Sequence, residues 1–583
     1  MADPTNTQIA AALDELGDLY ELDGAVIHRV VAYRNGAKAA REASTSLAQL
    51  ARQGRATQLP GIGATLQEKI VAMTETGEIP ALEKLRAKFP AGLVEMTRLP
   101  GLGPKRARRL FEELGIDSLE ALRAAAESGQ IANLKGFGAK AQTQLLEAVN
   151  AHQEDGPRQR VVLSQALRVG EELLAEIRAH PGTVRAELAG SARRMTETVK
   201  DLDIVATSTD PGALARDAAA LPQIEAASTP GENAVRLRTH SGMLVDLRIV
   251  EPDQFGNVLQ HLTGSKQHNV PLRDFAVRRG LHISEYGVLD DATGQTHRCA
   301  TEAEVYALLG MAYIEPELRE NRGELEAAQR SGLPVLVTLE DLRGDLHSHT
   351  TASDGTASIQ EMATAAQSFG YEYLAITDHS ASMGFGADVS ADQLRRQIER
   401  VRELDAQLDG FTLLIGSEVN ILPDGSLDYP DELLAQLDWV LASVHTSFRM
   451  PAAEMTARIV AAIEHPYVDC IGHLTGRKIE RRAPYEFDFE AVVGAAAGSG
   501  TMLEINANPD RRDLNELHAR AAAEAGVPIV INTDSHRTDG FEVARYGVAT
   551  ARRGWLSPAQ IANTRPWQEL AQMRKRVSSR TGA

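Results

Sequence analysis

The sequence predicts a multidomain protein with an all-helical N-terminal region, an α+β middle and a C-terminal parallel barrel or doubly wound sheet. Three observations carry this. Residues 1–155 repeat apolar positions every three or four residues, as in Ile9, Leu13, Leu16 and Leu19. Residues 160–320 mix helices with short β-rich runs such as Met243–Val250. From 341 onward short apolar strands alternate with Ala-rich helices. A length of 583 residues accommodates several such domains. With 61 basic against 80 acidic side chains the net charge is −19, which excludes a histone-like polycation and confines nucleic-acid contact to local patches. More than half of that excess lies beyond residue 340, where 23 basic side chains face 34 acidic ones. The two cysteines, Cys299 and Cys470, cannot form a disulfide framework and point to a reducing compartment. The N-terminus lacks a signal-peptide pattern, and no apolar run approaches the ~20 residues that span a bilayer, so a cytoplasmic protein without membrane association is expected.

The helical region contains three related pentapeptides: Leu59-Pro-Gly61-Ile-Gly63, Leu99-Pro-Gly101-Leu-Gly103 and Leu134-Lys-Gly136-Phe-Gly138. Paired glycines permit a tight turn and bare the backbone N–H groups of the following helix, a geometry that binds phosphate without reading bases. One copy would pass as a plain turn. Three read as helix-hairpin-helix motifs, with Lys105, Arg106, Arg108 and Arg109 adding positive charge. Residues 1–155 are therefore expected to hold a DNA backbone.

In the middle region, Asp201 and Asp203 stand two apart on a predicted strand and share a face, and Asp246 lies on a second predicted strand. Neighbouring carboxylates repel unless cations sit between them, which is how a two-metal phosphoryl-transfer centre is built. Upstream lies Gly190-Ser191-Ala-Arg-Arg194.

With these residues the chain resembles DNA polymerase family X, the polymerase beta-like repair enzymes. The matching text runs from Gly190 to Asp203, through Val245-Asp246, to Thr263-Gly264-Ser265-Lys-Gln-His-Asn269. The resemblance implies that Asp201, Asp203 and Asp246 bind Mg²⁺ or Mn²⁺ and that Asp246 helps activate the primer 3′-hydroxyl. It implies that Gly190, Ser191 and Arg194, with Gly264 and Ser265, hold the incoming nucleotide, and that Asn269 and Arg273 lie along the nascent base pair. His261-Leu262 replaces the aromatic pair usual in the family, so weakened rejection of ribonucleotides is expected. The first hairpin resembles the family's lyase region, with Lys69 at the matching lysine and His28 and Tyr33 also matching, while Arg29 replaces another lysine. Lys69 is thus a candidate Schiff-base nucleophile, and a phosphate-gripping helix lysine is the competing reading.

The C-terminal region holds nine metal-ligand side chains, almost all of them just beyond apolar strands: His347, His349, Asp354, His379, Glu418, His445, His473, Asp534 and His536. In a β/α barrel such strand ends converge on one mouth. Mixed nitrogen and carboxylate ligands suit Mn²⁺, Zn²⁺ or Fe, and nine suffice for up to three divalent ions at a phosphoesterase centre. This region resembles the PHP (polymerase and histidinol phosphatase) domain, which implies a distorted β/α barrel with Mn²⁺-dependent 3′→5′ exonuclease or 3′-end and abasic-site processing. Asn420 stands where an acid is usual and takes no ligand role; Arg477, Arg481-Arg482 and Arg511-Arg512 are candidate contacts for a substrate strand, with surface arginines of no particular role as the equal alternative.

The expected organisation is a lyase-like DNA-binding domain at 1–90, a second helix-hairpin-helix (fingers-like) domain at 91–155, a nucleotidyltransferase palm at 156–260, a thumb at 261–320, a linker at 321–340 and the PHP barrel at 341–575. The expected function is a bacterial cytosolic repair polymerase, acting as a monomer on gapped or nicked DNA and dNTPs, with a separate 3′→5′ exonuclease centre. The alternatives are a phosphoesterase whose polymerase fold merely tethers DNA, and a non-catalytic DNA-end scaffold.

Overall fold

The structure, a computed structural model, describes residues 3–575 except 44, 98, 100–101, 135, 155–159 and 383–387. The chain divides into two compact units, one of residues 1–161, 165–188 and 199–252, the other of residues 162–164, 189–198 and 253–583.

The first unit begins with helices packed around one apolar cluster that runs from Ile9 to Val149. Helix Asn6–Leu22 starts at a capping box, with Thr5 accepting from Gln8 N and the Gln8 side chain accepting from Thr5 N. Its Ile9, Leu13, Leu16 and Leu19 are fully buried, as their spacing predicts. Buried Asn6 is satisfied by Ala43 O at 3.1 Å and Leu47 N at 2.8 Å. Gly61 turns the first hairpin at φ +94°, where a Cβ would also meet Asn35 O at 3.1 Å, and Gly63 then caps helix Ala64–Thr76.

The same unit carries a five-stranded sheet of β1 (Thr183–Leu188), β2 (Asp201–Ser208), β3 (Ile224–Ala227), β4 (Ala234–Thr239) and β5 (Leu244–Ile249), ordered β1-β2-β5-β4-β3. Only β2 and β5 pair in parallel.

The second unit contains a small antiparallel sheet of β6 (Leu281–Ser284), β7 (Gly287–Asp290) and β8 (Thr296–His297). Residues 321–340, expected as a linker, hold helix Glu324–Gln329. Its Leu325 and Ala328, with Leu336, are buried in one cluster with Leu272, Tyr306 and Leu309. Apolar side chains in that stretch gain more from burial than a free tether would allow.

Beyond them, seven parallel strands follow chain order among the described residues: β9 (Gly344–Asp345), β10 (Tyr373–Ile376), β11 (Thr412–Asn420), β12 (Trp439–Ser443), β13 (Cys470–Ile471), β14 (Met502–Asn506) and β15 (Ile529–Asn532). A parallel bridge between Ser348 and Ser535 joins the first strand's extension to the last, so the sheet is a nearly closed barrel rather than a doubly wound sheet. Alternate residues build two cores, as a pleat requires. Tyr373, Ala375, Leu414, Trp439, Leu441, Met502 and Val530 form one cluster; Leu374, Ile376, Leu413, Ile415, Val440, Ala442 and Leu503 pack with the helices. Gly344 is held to glycine by the Tyr373 ring, which a Cβ would approach to 2.3 Å.

Candidate metal centres

The alternation that fills the barrel also aims its ligands. Continuing every second residue from the interior cluster leads from Tyr373 to His379, from Leu414 to Glu418, from Trp439 to His445 and from Val530 to Asp534. Their side chains meet in three overlapping groups: His349, Asp354, His379 and His536; His347, His349 and Asp534; and His379, Glu418 and His445. Glu418 is the hub, with carboxylate oxygens 2.9 Å from His379, 3.1 Å from His445 and 2.9 Å from His473. All nine sequence-predicted residues are thus brought together.

The donor set fits divalent ions. His347 Nε2, both ring nitrogens of His349, His379 Nδ1 and both Glu418 oxygens are buried yet make no hydrogen bond, which would be costly for groups without another partner. Burial alone would raise the Glu418 carboxyl, but His445, His347 and His379 hold it well below the usual carboxylate range. Burial pushes the His349 imidazole down to about 4, with His379 and His536 beside it adding to the effect. His473 at φ +27° and Asp534 at φ +55° occupy the left-handed region, strain retained at the site itself.

An outer layer orients the ligands. Glu504 accepts from His347 Nδ1 at 2.7 Å and from His473 N at 2.7 Å, and Asn532 donates to it at 3.0 Å. A proton on His347 Nδ1 leaves Nε2 facing Glu418 and Asp534, at 3.4 Å from each. Buried Asp345 accepts from His347 N and Thr533 N, and burial pushes its carboxyl up to about 7. Asp378 accepts from Thr350 N and Oγ1, each at 2.7 Å, fixing the turn that carries Asp354. Asn420 donates from Nδ2 to Ser382 and from N to Ser380 and Asp428, outside the ligand set. The sequence reading missed Glu504 and Asp378. The signal for Glu504 was a carboxylate inside the apolar run Thr501–Ile505, where a charge requires fixed partners.

Of the arginines read as strand contacts, only Arg511 reaches the cluster, with Nε 3.7 Å from Asp534. Arg482 donates to Gly476 O and lies over the Phe448 ring, and Arg481 faces Asp510. Arg477 pairs with Glu197, and fully buried Arg512 donates to Met195 O and Thr550. Both are thus engaged with residues 195 and 197.

On the five-stranded sheet, register places Asp203 directly opposite Asp246 on parallel β2 and β5, with Asp201 two residues earlier on the same face. The three carboxylates are partly exposed, and Asp246 accepts from Arg236 Nε at 3.0 Å. In the second unit, Gly190 at φ +62° opens the turn Gly190–Arg193, where the left-handed conformation suits glycine. Arg194 donates Nε to Glu320 at 3.2 Å and Nη1 to Thr263 O. Ser265 follows Gly264 through a cis peptide and caps helix Lys266–Val277. Asn269 bridges Gln260 and His261 O, and Arg273 donates to His261 Nδ1 at 3.1 Å.

The hairpin glycines Gly61, Gly63, Gly103, Gly136 and Gly138 are exposed, as is Lys105; Gly101 lies outside the described residues. Arg106 donates to Gly136 O at 3.0 Å and stacks over Phe137, joining the second hairpin to the third. Lys69 is half-buried, and Tyr33 stacks on Tyr20 with ring centroids 5.2 Å apart.

Family comparisons agree with this layout. Residues 4–79 match a helix-hairpin-helix domain, 93–150 a SAM-like helix-hairpin-helix tandem, 258–320 the DNA polymerase beta thumb and 345–506 the PHP domain. The chain is 37% identical over 571 residues to the Bacillus subtilis protein named DNA polymerase/3′-5′ exonuclease PolX, covering 97% of this chain and 99% of that one. It is 35% identical over 211 residues to a probable phosphatase of Acetivibrio thermocellus, covering 35% of this chain and 82% of the relative. A probable phosphatase of a Thermoanaerobacter species is 34% identical over 213 residues, 35% of this chain and 81% of its own. Near-complete coverage of one relative, with helix-hairpin-helix, thumb and PHP matches following one another along the chain, places this chain among the bacterial family X DNA polymerases with a C-terminal PHP domain.

Proposed function

We propose that this chain is a DNA repair polymerase that fills short gaps and carries a separate 3′→5′ exonuclease centre in its barrel. The observation that supports it best is the presence of two self-contained ligand sets, the Asp203–Asp246 pair across β2 and β5 and the imidazole–carboxylate cluster at the barrel mouth. Asp201, Asp203 and Asp246 would hold Mg²⁺ or Mn²⁺. Gly190, Ser191, Arg194, Gly264 and Ser265 would bind the triphosphate of the incoming dNTP, with Asn269 and Arg273 along the new base pair. In polymerisation the primer O3′ would form a bond to Pα as the bond from Pα to the pyrophosphate oxygen breaks, and Asp246 would help activate the hydroxyl by accepting its proton. In the barrel the nine ligands would hold up to three divalent ions, Mn²⁺, Zn²⁺ or Fe. At both centres such ions neutralise charge on the phosphoryl group and lower the pKa of a bound nucleophile. The exposed hairpin glycines and Lys105 would grip phosphates on the DNA, and Lys69 would either join that grip or, in the competing reading, be the amine that attacks an abasic sugar. Among the described residues no helix is long and apolar enough to cross a membrane, and we place the protein in the bacterial cytosol as a monomer.

The test is primer extension on a one-nucleotide gap and digestion of a single-stranded 3′ end, with Mg²⁺ and Mn²⁺ supplied separately. Both activities are expected. Digestion without extension would instead favour a phosphoesterase with a DNA tether.

A further inference from the structure

Segment 189–198 carries Gly190, Ser191 and Arg194, and barrel arginines clasp it. Arg553 donates Nη1 to Arg194 O at 2.8 Å and to Glu320 at 3.0 Å, the same carboxylate that accepts from Arg194 Nε. Arg512 donates Nη1 to Met195 O at 3.0 Å, and Met195 sits at φ +55°. Arg477 grips the Glu197 carboxylate with both terminal nitrogens, at 3.2 and 2.5 Å. Three arginines thus hold residues 194, 195 and 197, two by backbone carbonyl and one by a bidentate ion pair. Arg512 and Arg553 are almost wholly buried, and a buried guanidinium with fixed acceptors has little freedom to let go. On the other side, Arg193 donates to Thr263 and Glu302 at 2.7 and 2.6 Å.

We propose that the PHP barrel is a positioning element for nucleotide addition: Arg477, Arg512 and Arg553 set the backbone of the segment that receives the triphosphate. This rests on the assignment of Ser191 and Arg194 to nucleotide binding. Among the described residues the three arginines bond to segment 194–197, Arg512 O, Thr550, Glu320 and Glu516 and not to a barrel ligand, so the role is separable from hydrolysis. A clasp of this kind acts by preorganisation, and its loss weakens nucleotide binding before it harms the chemistry.

The experiment uses the full-length chain and steady-state gap filling. Arg477→Glu and Glu197→Arg are each expected to raise KM for dNTP about tenfold with kcat changed less than about threefold. The double variant Arg477→Glu/Glu197→Arg should recover most of the loss, since it rebuilds the pair in reverse. Mn²⁺-dependent digestion of a single-stranded 3′ end by Glu197→Arg should match the parent within about twofold, and the thermal midpoint of each variant reports folding. Arg194→Ala is the control for the underlying assignment. If Arg194→Ala leaves KM for dNTP unchanged, the nucleotide-binding assignment fails and the clasp fails with it. If Arg194→Ala raises KM while the single charge reversals do not, or the double reversal gives no recovery, the assignment stands and the positioning role is overturned. A charge reversal that unfolds the chain is replaced by Glu197→Gln, read against the same outcomes.

Discussion

At the barrel mouth, ligands arrive from six of the seven strands, most are buried, and Glu504, Asp345 and Asp378 hold the first layer from behind. On the five-stranded sheet, three carboxylates come from two adjacent strands, remain partly open to solvent, and have Arg236 as a neighbour of Asp246. The contrast shows two ways of preparing a phosphoryl-transfer site. A nearly closed barrel preorganises its ligands before any ion or substrate arrives, at the cost of burying charges that need one another. An open sheet face leaves its carboxylates hydrated until ions and substrate bring the missing positive charge.

The largest effect should come from removing one ligand in each region. Asp203→Ala is expected to lower gap filling at least ~10³-fold and to leave 3′-end digestion within about twofold, while Asp534→Ala should do the reverse. Loss of both activities in either folded variant would mean the centres are not independent.

A smaller effect sharpens the point about preorganisation. Glu504→Gln keeps the shape but weakens the hold on His347 Nδ1, so 3′-end digestion should fall about 10- to 100-fold, with a matching loss of Mn²⁺ affinity by titration. Gap filling should not change. An unaltered Mn²⁺ affinity would show that barrel closure alone fixes His347.

The smallest effect concerns acid stability of the second unit. Burial would raise the Glu302 carboxyl, but Arg319 and Arg193 hold it down at about 2, and Glu516 is likewise held at about 2 by Arg553 and Arg322 against its burial. A carboxylate whose folded pKa is depressed stabilises fully above its unfolded value near 4.5, and that contribution fades as pH falls toward 2. Urea midpoints of the parent should therefore drop between about pH 4.5 and 2, and Glu302→Gln should flatten that decline while lowering stability at pH 7. An equally steep decline in the variant would assign it to other carboxylates.

Particular residues show how far the chain could be read unaided. Most of the barrel ligands were legible because they lie at or just beyond the ends of apolar strands and the pleat has a period of two, so face and strand end follow from local order. The glycine hairpins were legible because φ near +90° at Gly61 and Gly136 restricts the residue type. Where two of the candidate arginines sit could not be read locally, because exposure is not a local property. Arg477 and Arg512 look like surface residues until Glu197 and Met195 are found against them, about 280 and 317 positions away. Glu504, too, announces only that it needs partners, not which ones.

What the amino-acid order determined by itself was therefore the kind of element, the face each side chain takes and the chemistry of both ligand sets, since these depend on neighbours a few residues apart. Only the tertiary structure decided that seven strands close into a barrel, that Asp203 faces Asp246, that Glu504 orients His347, and that barrel arginines hold the segment at 194–197. Those are distances between parts of the chain far apart in sequence, set by packing and by the need of every buried charge for a partner.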